Sequence, residues 1–184
     1  MNIFYLSKDT QQCAQMHVDK HCVKMILESA QLLSTAHRVL DGNQTVIKSK
    51  TNRNKKVWQL PDNRDSVLYS ATHVNHPSAI WVRKSGLNYA WLWHLTYDLC
   101  KEYTYRYGKV HKIEREFLLD ALKEPPKNIL WTHFTEPTPA MPDQYKVPGN
   151  SIESYRNYYN GEKQRMFSWK KRETPYWIIN GLQT

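Results

Sequence analysis

The sequence predicts a mainly α protein: a single-domain helical bundle, residues 1–184, with a short N-terminal extended segment and a Pro-rich connection before the C-terminal helix. Three observations predict it. Apolar residues recur at threes and fours over long windows that hold neither Pro nor Gly. At 184 residues the chain can build one core of its own without disulfide or metal support. Six of the nine prolines fall between Pro125 and Gly149, so chain-breaking is concentrated in one stretch.

Taken in order, Asn2 to Leu6 is short, apolar and β-prone, and reads as a strand or a buried extended segment. Asp9 or Thr10 can then cap a helix. From Thr10 to about Leu40, Cys13, Met16, Val23, Ile26, Leu27, Ala30, Leu33 and Ala36 keep helical spacing until Asp41-Gly42-Asn43 ends the run. Residues 43–66 lose this period and read as a basic loop or hairpin. Pro77 suits the first position of a helix, where a missing N–H costs nothing, and that helix runs to Lys84. Ser85-Gly86 bends the chain. Leu87 to Tyr107 continues it, with Leu87, Ala90, Trp91, Leu95, Leu99 and Cys100 inward and Gly108 as the stop. A further helix spans Ile113 to Lys123 and is halted by Pro125-Pro126. After the extended connection at 125–149, Asn150 with Glu153 three residues on forms a cap that launches a helix to about Trp169. A basic, aromatic tail, 170–184, closes the chain.

Lys and Arg total 26 against 17 acidic residues, a net charge of +9 and a pI near 9.4, which favours a polyanionic partner, nucleic acid or nucleotide, over acidic-protein or cationic ones. Cys13, Cys22 and Cys100 form no C-x-x-C pair, so neither a disulfide framework nor a zinc knuckle is expected, and a reducing compartment fits. No apolar run approaches the roughly 18 residues that span a bilayer, and the first residues lack the basic flank of a signal peptide. The expectation is a cytoplasmic protein with no membrane partner.

Three groups of side chains invite chemistry. His17, His21, Lys24, Glu28 and Gln31, spaced by four, three, four and three, line one stripe of the first helix, flanked by Lys20. Such a stripe faces water or a site, because buried polar groups without partners are costly. A metal on His17 and His21 would need a third ligand from His73, His76, His94 or Asp98, and the Glu of an H-E-x-x-H motif is absent; no metal and no other cofactor is expected. Next, Asn75 and His76 before Pro77, with Arg83 in the following helix, suit phosphate binding at a helix start, and either of the first two can also be a plain cap. Finally, Lys48, Lys50, Arg53, Lys55, Lys56 and Arg64 face only Asp62 and Asp65 in the 43–66 segment, which suits phosphates or simple solvation equally. His94 and Asp98, one turn apart, would support the first stripe if the two helices pack. The seven Trp, twelve Tyr and four Phe are read mostly as core, with some able to stack on bases.

The stretches His17-Val-Asp-Lys-His21-Cys-Val-Lys-Met-Ile-Leu-Glu28, Asn75-His76-Pro77-Ser-Ala-Ile-Trp81 and Ala140-Met-Pro-Asp-Gln-Tyr-Lys-Val-Pro148 resemble a family of small tailed-bacteriophage proteins over nearly the whole length. The resemblance implies phage origin and expression inside an infected bacterium rather than a particular reaction. A looser similarity runs to the pyrimidine-dimer DNA glycosylase family, through the apolar start, His37-Arg38 near the end of the first helix and Asn75-His76-Pro77 before the second. Enzymes of that kind use a freed N-terminal amine, which requires removal of Met1, a step that Asn2 disfavours.

The function expected from these readings is cleavage of a glycosidic bond at a damaged or modified base. Lys20 or Lys24 would attack the sugar C1′ or steady the anion, Glu28 would handle the proton or support the developing positive charge, and His17 and His21 would assist. Arg83 and the 48–56 cations would hold phosphates. The alternatives are a phage factor that binds nucleic acid or a host protein without catalysis, and a metal-dependent nuclease or phosphohydrolase.

Overall fold

The computed structural model describes residues 1–179. Their elements are α1 (Thr10–Met16), α2 (Asp19–Asp41), β1 (Asn43–Lys48), β2 (Asn54–Gln59), α3 (Arg64–Val67), α4 (Pro77–Lys84), α5 (Gly86–Tyr107), α6 (Lys112–Arg115), α7 (Leu118–Ala121) and α8 (Ser151–Glu162). The fold is mainly α. The antiparallel pair β1–β2 is the one sheet among the described residues. No helix among them is long and apolar enough to cross a membrane.

The core lies between α2 and α5, with α1 and α4 packed against them. Helix α5 buries Asn88, Leu92, Leu95, Leu99, Glu102 and Arg106, a single stripe by fours and threes. Ile3, Phe4, Tyr5 and Leu6 are buried beside it in an irregular segment that pairs with no strand among the described residues, and Arg156 of α8 donates to Leu6 O at 2.9 Å. Four indoles tie segments together, three of them fastening irregular chain to helices and Trp93 joining α5 to α7. Trp81, Trp91, Trp93 and Trp169 donate to the carbonyls of Thr135, Lys8, Leu119 and Met16, each at 2.9 Å.

Caps follow the sequence closely. Asp9 Oδ1 accepts the Gln12 N–H, Asn150 accepts the Glu153 N–H, and Gly108 adopts the left-handed conformation that stops α5. Pro77 opens α4, and α5 begins at the Ser85-Gly86 bend.

The structure corrects four expectations. The long helix from Thr10 breaks at His17-Val18, both extended, because Arg106 captures the carbonyls of Gln15 and His17 that the break sets free. Of the two forms expected for 43–66, loop or hairpin, residues 43–59 take the hairpin. Val23, Leu27 and Leu87, expected inside, are at least 39% exposed, so the buried faces are rotated from the simple periodic reading. The helix expected over 113–123 is divided into α6 and α7 by Phe117, which has φ 57°. The last helix stops at Glu162 rather than Trp169. Beyond it Ser168 O accepts the Asp19 N–H at 2.8 Å, and the Lys170 N–H and Ser168 Oγ reach the Asp19 carboxylate. Of the tail expected at 170–184, residues 180–184 lie outside the described residues.

Candidate active site

The buried N-terminal segment carries the start of the chain to the middle of α2. Phe4 takes φ 55° and stacks on His21 at 4.2 Å, while Asn2 Nδ2 donates to Ala140 O at 2.8 Å and anchors the segment to the Pro-rich connection. The Asn2 N–H then donates to Glu28 Oε2 at 3.1 Å, and the Met1 amino group lies 3.9 Å from the same oxygen. Lys24, one turn before on α2, places Nζ 3.2 Å from Glu28 Oε1. Lys24 is well exposed whereas Glu28 is mostly enclosed, so a partly buried carboxylate sits beneath an amine that solvent can reach.

His76 lies at the N-terminus of α4, where its Nδ1 accepts the Ser78 N–H at 3.1 Å. With Nδ1 acting as acceptor, the neutral ring carries its proton on Nε2. Burial lowers the His76 pKa, the N-terminal charge and His73 add to the effect, and Glu28 opposes it, so all four groups share one electrostatic neighbourhood. Arg83 braces the loop beside it. Its Nη1 donates to Val74 O at 2.7 Å and to Ala79 O at 2.9 Å, which fixes the Asn75-His76 turn; Asn75 itself is exposed.

The other expected residues divide. His17 and His21 are buried in the core, not on a face open to substrate. His17 Nδ1 donates to Cys13 O at 2.7 Å, and its buried Nε2 has no hydrogen-bond partner among the described residues. His21 Nδ1 meets the Tyr159 hydroxyl at 2.7 Å. Burial is the main cause that lowers both pKa values, to about 4 and about 3. His17 leaves the stripe outright because the helix breaks there, and His21 sits seven residues before Glu28, about 10 Å along the axis. Lys20 is exposed, with no hydrogen bond or ion pair among the described residues. His94 is exposed and packs edge-on against Trp93; no hydrogen bond joins it or Asp98 to the α2 stripe among the described residues. The face of α5 that supports the start of α2 is held by Glu102 and Arg106 instead.

Lys48, Lys50, Arg53, Lys55 and Lys56 all stand exposed on the β1–β2 hairpin or its tip. Arg64 does not join them: it is tied to Asp62 and Asp41 at the base. Tyr155 and Tyr159 belong to the core, while Tyr105 is exposed and carries the Arg172 guanidinium 4.2 Å from its ring centre. Among the described residues no group of three or more His, Cys, Asp or Glu side chains is placed to hold a metal ion.

Sequence reasoning missed Met1, Asn2 and Ala140 as parts of this site. An apolar five-residue start announces burial but says nothing of where its first residue ends up. No protein-family model, curated protein or solved structure matches this chain.

Proposed function

We propose that the chain is a phage enzyme acting on DNA in the cytoplasm of an infected bacterium, where it breaks the glycosidic bond of a damaged or modified base. The observation that carries this reading is the Lys24–Glu28 pair on α2, with the buried start of the chain against Glu28 and with Glu28 bearing on the charge of His76 at the head of α4. Glu28 Oε1 is placed to take a proton from Lys24 Nζ, which then attacks C1′ as a neutral amine. The C1′–N bond breaks and the base leaves with the bonding pair. As the ring opens, Nζ gives a proton to O4′ and a protonated imine forms between C1′ and Nζ, while Glu28 returns its proton to the departed base. His76, protonated on Nε2, supplies a hydrogen-bond donor for the departing base. The target base must leave its stack to reach this point.

Borohydride reduction on an abasic or lesion-bearing duplex tests the reading. The expected result is a covalent protein–DNA adduct that peptide mapping places on Lys24, is lost in Lys24→Ala, and forms about 100-fold more slowly in Glu28→Gln. An adduct on Lys20 or Met1 would refute the assignment to Lys24, and no adduct on any lesion would refute the lyase chemistry.

A second reading, nucleic-acid binding without catalysis, rests on the exposed cations of the hairpin. It would prevail if Glu28→Gln left the infection phenotype intact while Lys55→Glu with Lys56→Glu destroyed it.

A further inference from the structure

We infer that the β1–β2 hairpin is a two-stranded ribbon that lies in the major groove of double-stranded DNA. This deepens the nucleic-acid reading above, and rests on it, by naming the form of the substrate and the element that grips it.

The hairpin has no role in the core. Every residue of β1 is exposed, and in β2 only Val57 and Trp58 are partly covered. An isolated two-stranded hairpin is marginal in water, so its order comes from its root. There the buried Arg38 makes five hydrogen bonds, including Nη1 to Trp58 O at 2.8 Å, Nε to Tyr69 O at 2.6 Å and Nη1 to Asp65 Oδ1 at 2.6 Å. Asp65 Oδ1 also accepts the Leu60 N–H at 2.8 Å. The result is an arm with a fixed base and two open faces.

Charge names the class of partner. From Asn43 to Gln59 there are five cations and no carboxylate. The register sets Val46 opposite Lys56 and Ile47 opposite Lys55, so each face carries an aliphatic side chain beside an ammonium. Val46 is 58% and Ile47 47% exposed, which an arm made only for solubility would avoid. Aliphatic groups that touch thymine methyls between cations that touch phosphates account for both.

Dimensions narrow the form. Six residues at about 3.4 Å each make a ribbon about 20 Å long with strands about 5 Å apart. A B-DNA major groove, about 12 Å wide and 8.5 Å deep, admits such a ribbon. The deep, narrow major groove of A-form RNA does not, and a single strand has no groove to enter.

The test compares the full chain with a variant in which residues 45–57 are replaced by an Asn-Gly turn, and with a second in which the five cations become Gln. Both should keep the helical circular dichroism and the thermal midpoint of the parent. Fluorescence anisotropy on a labelled 20-base-pair DNA duplex, its single strand and the matching RNA duplex reads binding, and borohydride trapping on a single-stranded abasic oligonucleotide reads the chemistry. The expected result is a tenfold to hundredfold loss on duplex DNA only, a salt dependence reduced by up to about four in log–log slope, and displacement of the parent by methyl green rather than netropsin. Unchanged duplex binding in either variant, equal losses on single strands or RNA, or displacement by netropsin alone would overturn the ribbon while trapping persisted. Absence of both binding and trapping in the parent would overturn the ribbon and the function on which it rests.

Discussion

Lowering the pH from 7 to 5 is expected to remove about 6 kcal/mol of folding stability, enough to unfold much of the protein. The cause is three buried histidines. Burial is the first cause of the lowered pKa of each, to about 4 for His17, about 3 for His21 and about 4 for His37, and nearby cations, Arg106 for His17, Lys163 and Lys24 for His21, Arg64 for His37, add to it. His37 shows the mechanism in hydrogen bonds. Its Nδ1 lies 2.9 Å from Arg64 Nη1, and a guanidinium can only donate, so Nδ1 must be unprotonated. Nε2 then donates to the Tyr89 hydroxyl, which donates to Leu122 O. A proton added to Nδ1 would face a cation.

Each ring is therefore neutral when folded and ordinary, with a pKa near 6.5, when unfolded. Between these values the unfolded chain binds more protons, so stability rises with pH across the window and falls as acid is added. Each histidine contributes a slope of about 1.4 kcal/mol per pH unit from pH 6.5 down to its folded value, and three give the figure above by pH 5. Total stabilities of such domains are about 5–15 kcal/mol. Urea unfolding at pH 7, 6 and 5 measures the slope, and His37→Gln, which can still accept from Arg64, should flatten it by one histidine's share. A stability independent of pH from 7 to 5 would contradict the neutral, buried state of these rings.

The same burial explains which parts of the site were legible. Periodicity correctly marks α2, α4 and α5, because those helices are long and their apolar stripes dominate. It fails where tertiary bonds override it, as at His17-Val18, whose broken backbone depends on an arginine 88 residues beyond Val18. The α2 stripe is real at Lys24 and Glu28. Its histidine end was misread because a neutral imidazole with one good hydrogen bond is an acceptable core group, and nothing in the local spacing reveals that Phe4 and Tyr159 close over it. The Asn75-His76-Pro77 turn was legible because Pro77 and a capping side chain are local signals. Its proximity to Glu28 was not, since it depends on how α2 and α4 cross. The hairpin was readable as charge and uncertain as structure, for its order comes from Arg38, outside the segment.

Replacing Arg106 by Met is expected to cost about 3–5 kcal/mol, the usual penalty for removing one partner of a buried ion pair. The Arg106 side chain is wholly enclosed, and it donates to Glu102 Oε1 at 2.7 Å, Asp19 Oδ1 at 2.9 Å, His17 O at 2.9 Å and Gln15 O at 2.9 Å. Burial alone would discharge it, yet its pKa is raised because Glu102 and Asp19 hold the charge in place. Met fills similar volume but leaves two carbonyls at the α1–α2 break without these donors and leaves Glu102, 4% exposed, with Arg172 as its remaining cation. Arg106→Lys should recover only part of the loss, because one ammonium cannot reach four acceptors spread around a planar fork. Arg106→Met combined with Glu102→Leu should be less destabilised than the sum of the single changes, since the second removes the stranded carboxylate. The thermal midpoint should fall by roughly 10 °C in Arg106→Met, at about 2–4 °C per kcal/mol for a chain of this size. Because this junction sets the direction in which α2 leaves, it also determines where Lys24 and Glu28 stand relative to His76. If Arg106→Met unfolds within 1 kcal/mol of the parent, the break at His17-Val18 is held by something else and the route by which α5 positions the candidate site is wrong.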